Sequence, residues 1–401
     1  MSRRPAAADP DTVGWGSTVL RRATFTLAVS QLVSWGVLFY GFAVVAADVT
    51  ADTGWSEALV SGAFALGLLV AGLGAPAIAR SLAMYDPRLV LTTGSIVGVI
   101  GMLGFAVAPN PIVLYLAWAV IGVAMAATLY EPAMAVLVTI DPARRHRTLA
   151  AVTVAGGLAS TVFAPLGGWL ADALGWRQAL AVMAIGGGLL TAVLHAVVLP
   201  PAHAHSVTTR VAHEPAPPVD RRLRRLRSAV LFEQAAMIAT TAYLIGLLVD
   251  RGVTLTTASV ALGVMGIGKV AGRLLLLGPV GRRSSTALAA TASAMQAVGL
   301  ALPLWITTGA LLYPAMVLVG AASGATTVLR ALIVVELVGA GPFAATSARI
   351  QRATTFTRAA SPLVLGAVVS TLGWSAAWSV CLVAFLVACE RYLALGRGTS
   401  R

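Results

Sequence analysis

The stretch LVLTTGSIVGVIGMLGFAVA at residues 89–108 carries no charged side chain. A helix of about 20 mostly apolar residues crosses a bilayer core of roughly 30 Å, so this stretch is typical of a transmembrane helix. Its glycines agree with that, because membrane helices tolerate glycine. The pattern recurs along the chain and predicts an all-α membrane protein with about twelve spans. The predicted spans are Phe25–Ala47, Glu57–Ala79, Leu89–Ala108, Ile112–Val138, Leu149–Leu170, Ala179–Leu199, Ser228–Val249, Ala258–Leu277, Thr286–Ile306, Ala310–Val335, Ala353–Leu372 and Ala377–Leu395.

The composition of the whole chain supports this interpretation. Of its 401 residues, 58% are hydrophobic and 11% are charged, and the mean hydropathy is +0.87. A soluble protein usually has about 45–50% apolar and about 25% charged residues. These values exclude a large soluble enzyme. The two cysteines are too few for a disulfide framework.

The net charge of +13 could indicate binding to nucleic acid. The arginines, however, are concentrated in alternate loops, and among the loops on the other side only Arg177 and Arg251 occur. This asymmetry follows the positive-inside rule and explains the charge without nucleic acid. We therefore expect a multi-pass protein of the cytoplasmic (inner) membrane, with both termini in the cytoplasm and no cleaved signal peptide.

The spans and polar stretches divide the chain into two six-helix halves. We predict a cytoplasmic tail at 1–23, an N-terminal half at 24–199, a cytoplasmic linker at 200–227, a C-terminal half at 228–395 and a second tail at 396–401. The linker contains His203, His205 and His213, but no cysteine or carboxylate cluster accompanies them, which favours a solvated linker over a metal site. We expect the basic cluster Arg221–Arg227 to lie against anionic lipid headgroups.

The two halves resemble each other in sequence. Leu114-Tyr115 in the fourth span matches Leu312-Tyr313 in the tenth, and Leu174-Gly175-Trp176 after the fifth span matches Leu372-Gly373-Trp374 after the eleventh. Many secondary transporters build a central site between two repeated halves in this way.

Several motifs make the chain resemble the major facilitator superfamily. They are the twelve spans, the half-repeat, the long central loop and the turn Gly175-Trp176-Arg177. The stretches Gln31-Leu32-Val33-Ser34-Trp35-Gly36, Phe39-Tyr40 and Gly54-Trp55-Ser56 look like the monocarboxylate and oxalate/formate branch. The resemblance implies the major facilitator fold and transport of a small organic anion by alternating access, either by symport with protons or by exchange.

The resemblance also suggests particular site residues. Monocarboxylate-type carriers have a substrate-binding arginine on the eighth helix, which Arg273 matches, and Lys269 stands one turn before it where those carriers have an acid. Oxalate/formate exchangers add a lysine on the eleventh helix, and Arg358 falls near that position.

Charges inside the predicted spans point in the same direction. An ionisable residue near the bilayer centre costs about 2.5–3.5 kcal/mol on insertion scales, so such residues should face a cavity or a partner. The six that lie well inside the spans are Glu131, Glu233, Lys269, Arg273, Arg330 and Arg358, and Glu336 lies at the edge of the tenth span. Because the cations outnumber the acids, the spans have room for an anion.

Lys269 and Arg273 are four residues apart, so they share one helix face, where like charges repel each other. A carboxylate substrate would relieve this repulsion, and arginine can hold a carboxylate through two hydrogen bonds. The alternative is that Arg273, Arg330 and Arg358 extend to lipid headgroups.

The roles of the remaining candidates stay open at this point. Arg330 aligns with Glu131 in the repeat, so the two could form a gate latch, or Arg330 could contact substrate. Glu131 or Glu233 could carry a coupling proton, although a neighbouring arginine would instead keep Glu131 ionised. Tyr40 and Tyr130 could line the cavity or serve only in packing. We also predict that His195 is a polar residue whose hydrogen bonding is satisfied within the protein. Pro132 has no N–H, so the Thr128 carbonyl should lack its helical hydrogen bond.

Two further expectations concern what is absent. The run Gly263-Val264-Met265-Gly266-Ile267-Gly268-Lys269 nearly matches a P-loop, but it lies inside one apolar span, where small residues allow close helix packing or a bend beside the cavity. No metal-ligand or nucleophile motif appears, so we expect no cofactor and no enzyme. We expect a monomer that contacts lipids. Two other functions are weighed against the anion carrier: a proton-driven exporter of drugs or amphiphilic metabolites, and a sensor on the same scaffold that does not transport.

Overall fold

A computed structural model describes residues 17–140, 145–200, 218–276, 283–302, 309–339 and 342–397. Within these ranges the chain forms helices joined by short turns, as predicted. The predicted tail at 1–23 is described only from residue 17, and most of the predicted linker, including its three histidines, lies outside the described residues.

The described helices form twelve rods. They are α1 (Ser17–Trp35, Gly36–Tyr40 and Gly41–Thr53), α2 (Glu57–Met84), α3 (Pro87–Ala106), α4 (Pro111–Thr128 and Tyr130–Ile140), α5 (Arg145–Gly157 and Ala159–Leu174), α6 (Trp176–Met183, Ala184–Gly188, Leu189–Val193 and Leu194–Val198), α7 (Arg221–Asp250), α8 (Leu255–Leu275), α9 (Ser285–Ala301), α10 (Gly309–Val338), α11 (Phe343–Leu372) and α12 (Trp374–Gly396). Within the described ranges, 11 are long and apolar enough to cross a membrane, and α9 has 17 residues.

Helix starts are set by side chains that accept hydrogen bonds from the first free backbone N–H groups. Ser56 accepts from the N–H of Leu59 at the start of α2, and Asn110 accepts from the N–H of Val113 at the start of α4. Pro111 follows Asn110 at the first helical position, where its missing N–H costs nothing.

The start of α7 differs from the sequence prediction. The helix begins at Arg221 rather than at Ser228, because Asp220 accepts a hydrogen bond from the N–H of Leu223, and Leu223 and Leu226 are buried. The basic cluster Arg221–Arg227 is therefore helical rather than part of a linker.

The half-repeat is visible in two turns of the same shape. Gly175 joins α5 to α6 with φ 82°, and Gly373 joins α11 to α12 with φ 81°. Both are left-handed conformations that glycine adopts without steric cost. We call this end of the bundle the glycine end, and the opposite end, where Arg88 and Arg221 lie, the basic end.

The halves meet through α2 against α11 and α5 against α8. At the glycine end, Thr256 donates a hydrogen bond to Asp172, and the N–H of Ala58 donates to Ser370 Oγ at 3.4 Å. These contacts bring the two halves together at that end.

Close packing of α8 against α10 uses the glycines of the P-loop-like run. A Cβ on Gly268 would lie 3.0 Å from the backbone nitrogen of Ala321 and 3.1 Å from Cα of Gly320. The small residues are thus required by the approach of two helix backbones, as the sequence predicted.

A break in α4 follows from Pro132, which cannot donate a hydrogen bond to the Thr128 carbonyl. The helix is interrupted at Leu129, and Gln31 from α1 donates its Nε2 hydrogen to the Thr128 carbonyl at 2.6 Å. The predicted free carbonyl therefore obtains its partner from another helix.

Replacing Gln31 with methionine is expected to lower the free energy of unfolding by about 1–3 kcal/mol, because it leaves a buried carbonyl without a partner at nearly unchanged volume. The midpoint of thermal unfolding in detergent measures the loss. Gln178→Met is the matched control, since Gln178 is exposed. Equal midpoints for the two variants would contradict this role of Gln31.

Candidate functional site

A cavity of about 560 Å³ lies between the two halves, in the part of the bundle nearer the basic end. The N-terminal half contributes α1, α2 and α4, and the C-terminal half contributes α7, α8, α10 and α11. The polar and charged residues of its lining are Tyr130, Glu131, Gln234, Arg273, Thr327, Arg330, Gln351, Arg352, Thr355 and Arg358. The site thus draws on both halves.

The charge of the lining is strongly positive. Arg273, Arg330, Arg352 and Arg358 contribute four guanidinium groups, and Glu131 is the only carboxylate among the lining residues. Arg352 is exposed, whereas Arg273, Arg330 and Arg358 are partly buried. Partly buried like charges are costly unless counter-charges or hydrogen bonds compensate for them. The cavity is therefore suited to an anion.

Arg273 reaches from α8 to the other half. Its Nη1 donates to the backbone carbonyl of Thr153 in α5 at 2.8 Å, and its charge interacts with Tyr130. The Tyr130 hydroxyl donates to the same carbonyl at 3.4 Å, and its ring lies 5.0 Å from that of Trp35. Arg273 and Tyr130 therefore occupy one wall together.

Lys269 and Tyr40, both predicted to bind substrate, pair with each other. The Lys269 ammonium donates to the Tyr40 hydroxyl at 3.0 Å and lies 5.5 Å from the ring centroid. Neither residue is among those that line the cavity. In this conformation the pair connects α8 to α1. On α8, Lys269 lies one helical turn farther from the basic end than Arg273.

Arg358 carries a buried guanidinium nitrogen, Nε, that lacks a hydrogen-bond partner among the described residues. Its charge interacts with those of Glu131 and Arg330. Within the described residues no ion pair joins Glu131 to Arg330, so this conformation does not contain the predicted latch.

Glu233 faces away from the cavity, whereas its neighbour Gln234 lines it. The Glu233 side chain is 4% exposed and accepts a hydrogen bond from the Tyr392 hydroxyl at 2.8 Å. It therefore lies inside the C-terminal half. Glu336 accepts from the Ser285 hydroxyl at 2.5 Å and is not among the lining residues.

His195 is fully buried, as expected of a polar residue with a partner. Its Nδ1 lies 3.0 Å from the Ser95 hydroxyl, while Nε2 has no partner within the described part of the chain. The prediction of a satisfied histidine holds for one of its two ring nitrogens.

Arg352 is not among the predicted site residues, because it lies just before the predicted span Ala353–Leu372. Because α11 begins at Phe343, Arg352 lies within the helix and lines the cavity. A signal was present: Arg352, Thr355 and Arg358 recur at spacings of three, which places them on one helix face.

Comparisons with known proteins agree with this architecture. The profile of the Major Facilitator Superfamily matches residues 24–351. Monocarboxylate transporter 13 of Bos taurus is 30% identical over 175 residues, which cover 43% of this chain and 39% of that protein, and its counterpart in Rattus norvegicus is 29% identical over 174 residues. The match thus spans well under half the length of these curated relatives.

Two solved structures share the fold over nearly the whole chain. A variant of the nucleoside transporter NupG has a TM-score of 0.75 at 15% identity, covering 94% of this chain and 99% of its own. A bacterial homologue of the human lysosomal transporter Spinster, in an inward-facing and occupied conformation, has a TM-score of 0.70 at 14% identity, covering 98% of each chain.

Proposed function

Because this chain belongs to the major facilitator superfamily of secondary transporters, we propose that it carries a small organic anion with a carboxylate group across the membrane. Transport proceeds by alternating access and is coupled to protons or to exchange. The observation that carries the proposal is the lining of the cavity, where four guanidinium groups accompany one carboxylate.

The chemistry of arginine supports a carboxylate as cargo. A guanidinium group is planar and presents five N–H donors, which match the two oxygens of a carboxylate. A cavity of about 560 Å³ lies within the usual range for small-molecule sites, roughly 300–1,000 Å³. The partial similarity to monocarboxylate transporter 13 is consistent with such a cargo.

Alternating access requires contacts between the halves that can break. Two hydrogen bonds cross between the halves: Lys269 donates to Tyr40, and Arg273 donates to the Thr153 carbonyl. We infer that they break as the two halves move between conformations, and that Lys269, Tyr40 and Arg273 then become free to contact the anion. Glu131 and Arg330 remain candidates for gating.

The positive-inside rule supports a cytoplasmic location for the basic end and both termini, in the cytoplasmic membrane. The cavity then lies nearer the cytoplasmic side. An exporter of amphiphilic cations fits the lining less well, because an excess of arginines would repel such a cargo.

The test is uptake into proteoliposomes of labelled monocarboxylates and dicarboxylates, each paired with its uncharged amide. We expect uptake of at least one carboxylate and none of its amide, because the site discriminates by charge-assisted hydrogen bonds. Amide uptake equal to that of the acid, or uptake of amphiphilic cations alone, would refute the anion carrier.

A further inference from the structure

A second polar site lies inside the C-terminal half, separate from the cavity lining. Its centre is Glu233 on α7, with the Tyr392 hydroxyl of α12 bound to Oε2. Gln296 of α9 and Thr326 of α10 lie beside the carboxylate. Gln296 is fully buried, and neither of its amide atoms has a hydrogen-bond partner of normal geometry in the described part of the chain. A buried carboxylate in this setting needs a proton or a counter-charge.

Arg330 lies between this site and the cavity. It follows Thr326 by four residues and Thr327 by three, so its side chain emerges between theirs on the helix surface. Thr326 lies beside Glu233, and Thr327 lines the cavity. Arg330 itself lines the cavity, yet its charge also interacts with Glu233. One guanidinium can therefore serve either a bound anion or the buried carboxylate.

We propose that Glu233 is the proton-carrying group of the transporter and that Arg330 links its protonation to the anion in the cavity. An anion in the cavity attracts Arg330, and Glu233 then loses its counter-charge and takes up a proton from the solution on the side from which the anion entered. When the anion leaves on the other side, Arg330 returns to Glu233, and the O–H bond breaks to release the proton to the solution on that side. This inference rests on the proposed transport of a carboxylate and makes it a symport.

Among the groups around α7, Arg330 is the one that can act as the counter-charge of Glu233. From α12 the titratable neighbour is Tyr392, and from α9 the neighbour is the neutral Gln296. On α8, Lys269 and Arg273 are bonded to the N-terminal half. On α11, the charge of Arg358 interacts with Arg330 and Glu131. Glu131 is the competing candidate for the proton, because it lines the cavity itself.

The experiment compares wild type with Glu233→Gln in proteoliposomes that contain a pH-sensitive dye. With an inward proton gradient of about one pH unit, one coupled proton supports up to about tenfold accumulation of the anion. We expect Glu233→Gln to lose this accumulation and the accompanying proton influx, while labelled anion still exchanges with unlabelled anion inside. Glu390→Gln is the matched control, because Glu390 is an exposed acid on α12, and it should keep wild-type accumulation.

The outcomes separate the two proposals. If Glu233→Gln accumulates the anion as strongly as wild type under the proton gradient, this inference alone is overturned. The same holds if Glu131→Gln loses the accumulation and Glu233→Gln keeps it. Absence of carboxylate transport by wild type overturns the proposed function and this inference with it. If Glu233→Gln does not fold, proton uptake by the wild-type protein in weakly buffered detergent provides the test. Binding of the anion should cause the protein to take up about one proton, and binding without proton uptake would refute the coupling.

Discussion

Carboxylate uptake is expected to fall by at least about 30-fold when Arg358 is replaced by glutamine. Arg358 lines the cavity, and its buried Nε has no partner among the described residues, so a bound anion would complete its hydrogen bonding. Removing one member of a buried charge pair costs about 2–5 kcal/mol, and each 1.4 kcal/mol is tenfold. Initial rates of labelled carboxylate uptake, normalised to reconstituted protein, measure the effect.

Two further variants test whether the loss comes from the guanidinium of Arg358. Arg358→Lys keeps the charge but loses the planar pair of donors, so we expect a rate between wild type and the glutamine variant. Arg391→Gln removes an exposed arginine that pairs with Glu390 at 3.3 Å, and it should change uptake by no more than about twofold. Uptake by Arg358→Gln within about twofold of wild type would contradict the binding role.

The sequence was sufficient for the fold because the bilayer limits what a spanning segment can be. The uncharged stretch Leu89–Ala108 corresponds to the helix Pro87–Ala106, and the other spans follow in the same way. The start of α7 could not be predicted from hydropathy, because arginines end an apolar stretch but not a helix. A helix is held by its backbone hydrogen bonds and does not require apolar side chains. Because Asp220 caps the first turn, the helix begins at Arg221.

The site was harder to predict, because it depends on the rotation of each helix. Charged residues in the spans are identifiable by their rarity, but adjacent positions on a helix point about 100° apart. Glu233 and Gln234 illustrate this, since only the second lines the cavity. The resemblance favoured Arg273 as the main anion ligand, whereas the structure gives Arg273 a protein partner and leaves Arg358 with an unpaired donor.

Partners between distant segments are likewise set by the tertiary structure. Pro132 predicts that the Thr128 carbonyl lacks its helical donor, but nothing near it in the chain indicates that Gln31 replaces that donor. The same holds for Lys269, whose predicted conflict with Arg273 is eased because each side chain is directed to a different partner in the other half.

Substitution of Gly272 is expected to have the largest effect on stability. A Cβ at this position would meet the carbonyl oxygen of Ala321 and would lie 2.6 Å from its carbonyl carbon and 2.8 Å from its Cα. These are backbone atoms of α10, so no side-chain rotation can relieve the clash. Overpacking costs about 1–3 kcal/mol and occasionally more, against a net stability of about 5–15 kcal/mol. We expect Gly272→Ala to lose about 3 kcal/mol and Gly272→Val to fail to accumulate as folded protein.

The matched control for Gly272 is Gly186→Ala in α6, where a Cβ would have no atom within 4 Å. At that position alanine should be neutral or stabilise the protein by up to about 1 kcal/mol, since it reduces the freedom of the unfolded chain. Opposite shifts of the thermal midpoint in detergent are therefore expected from the same change at two glycines. Equal midpoints would show that α8 and α10 can separate at little cost.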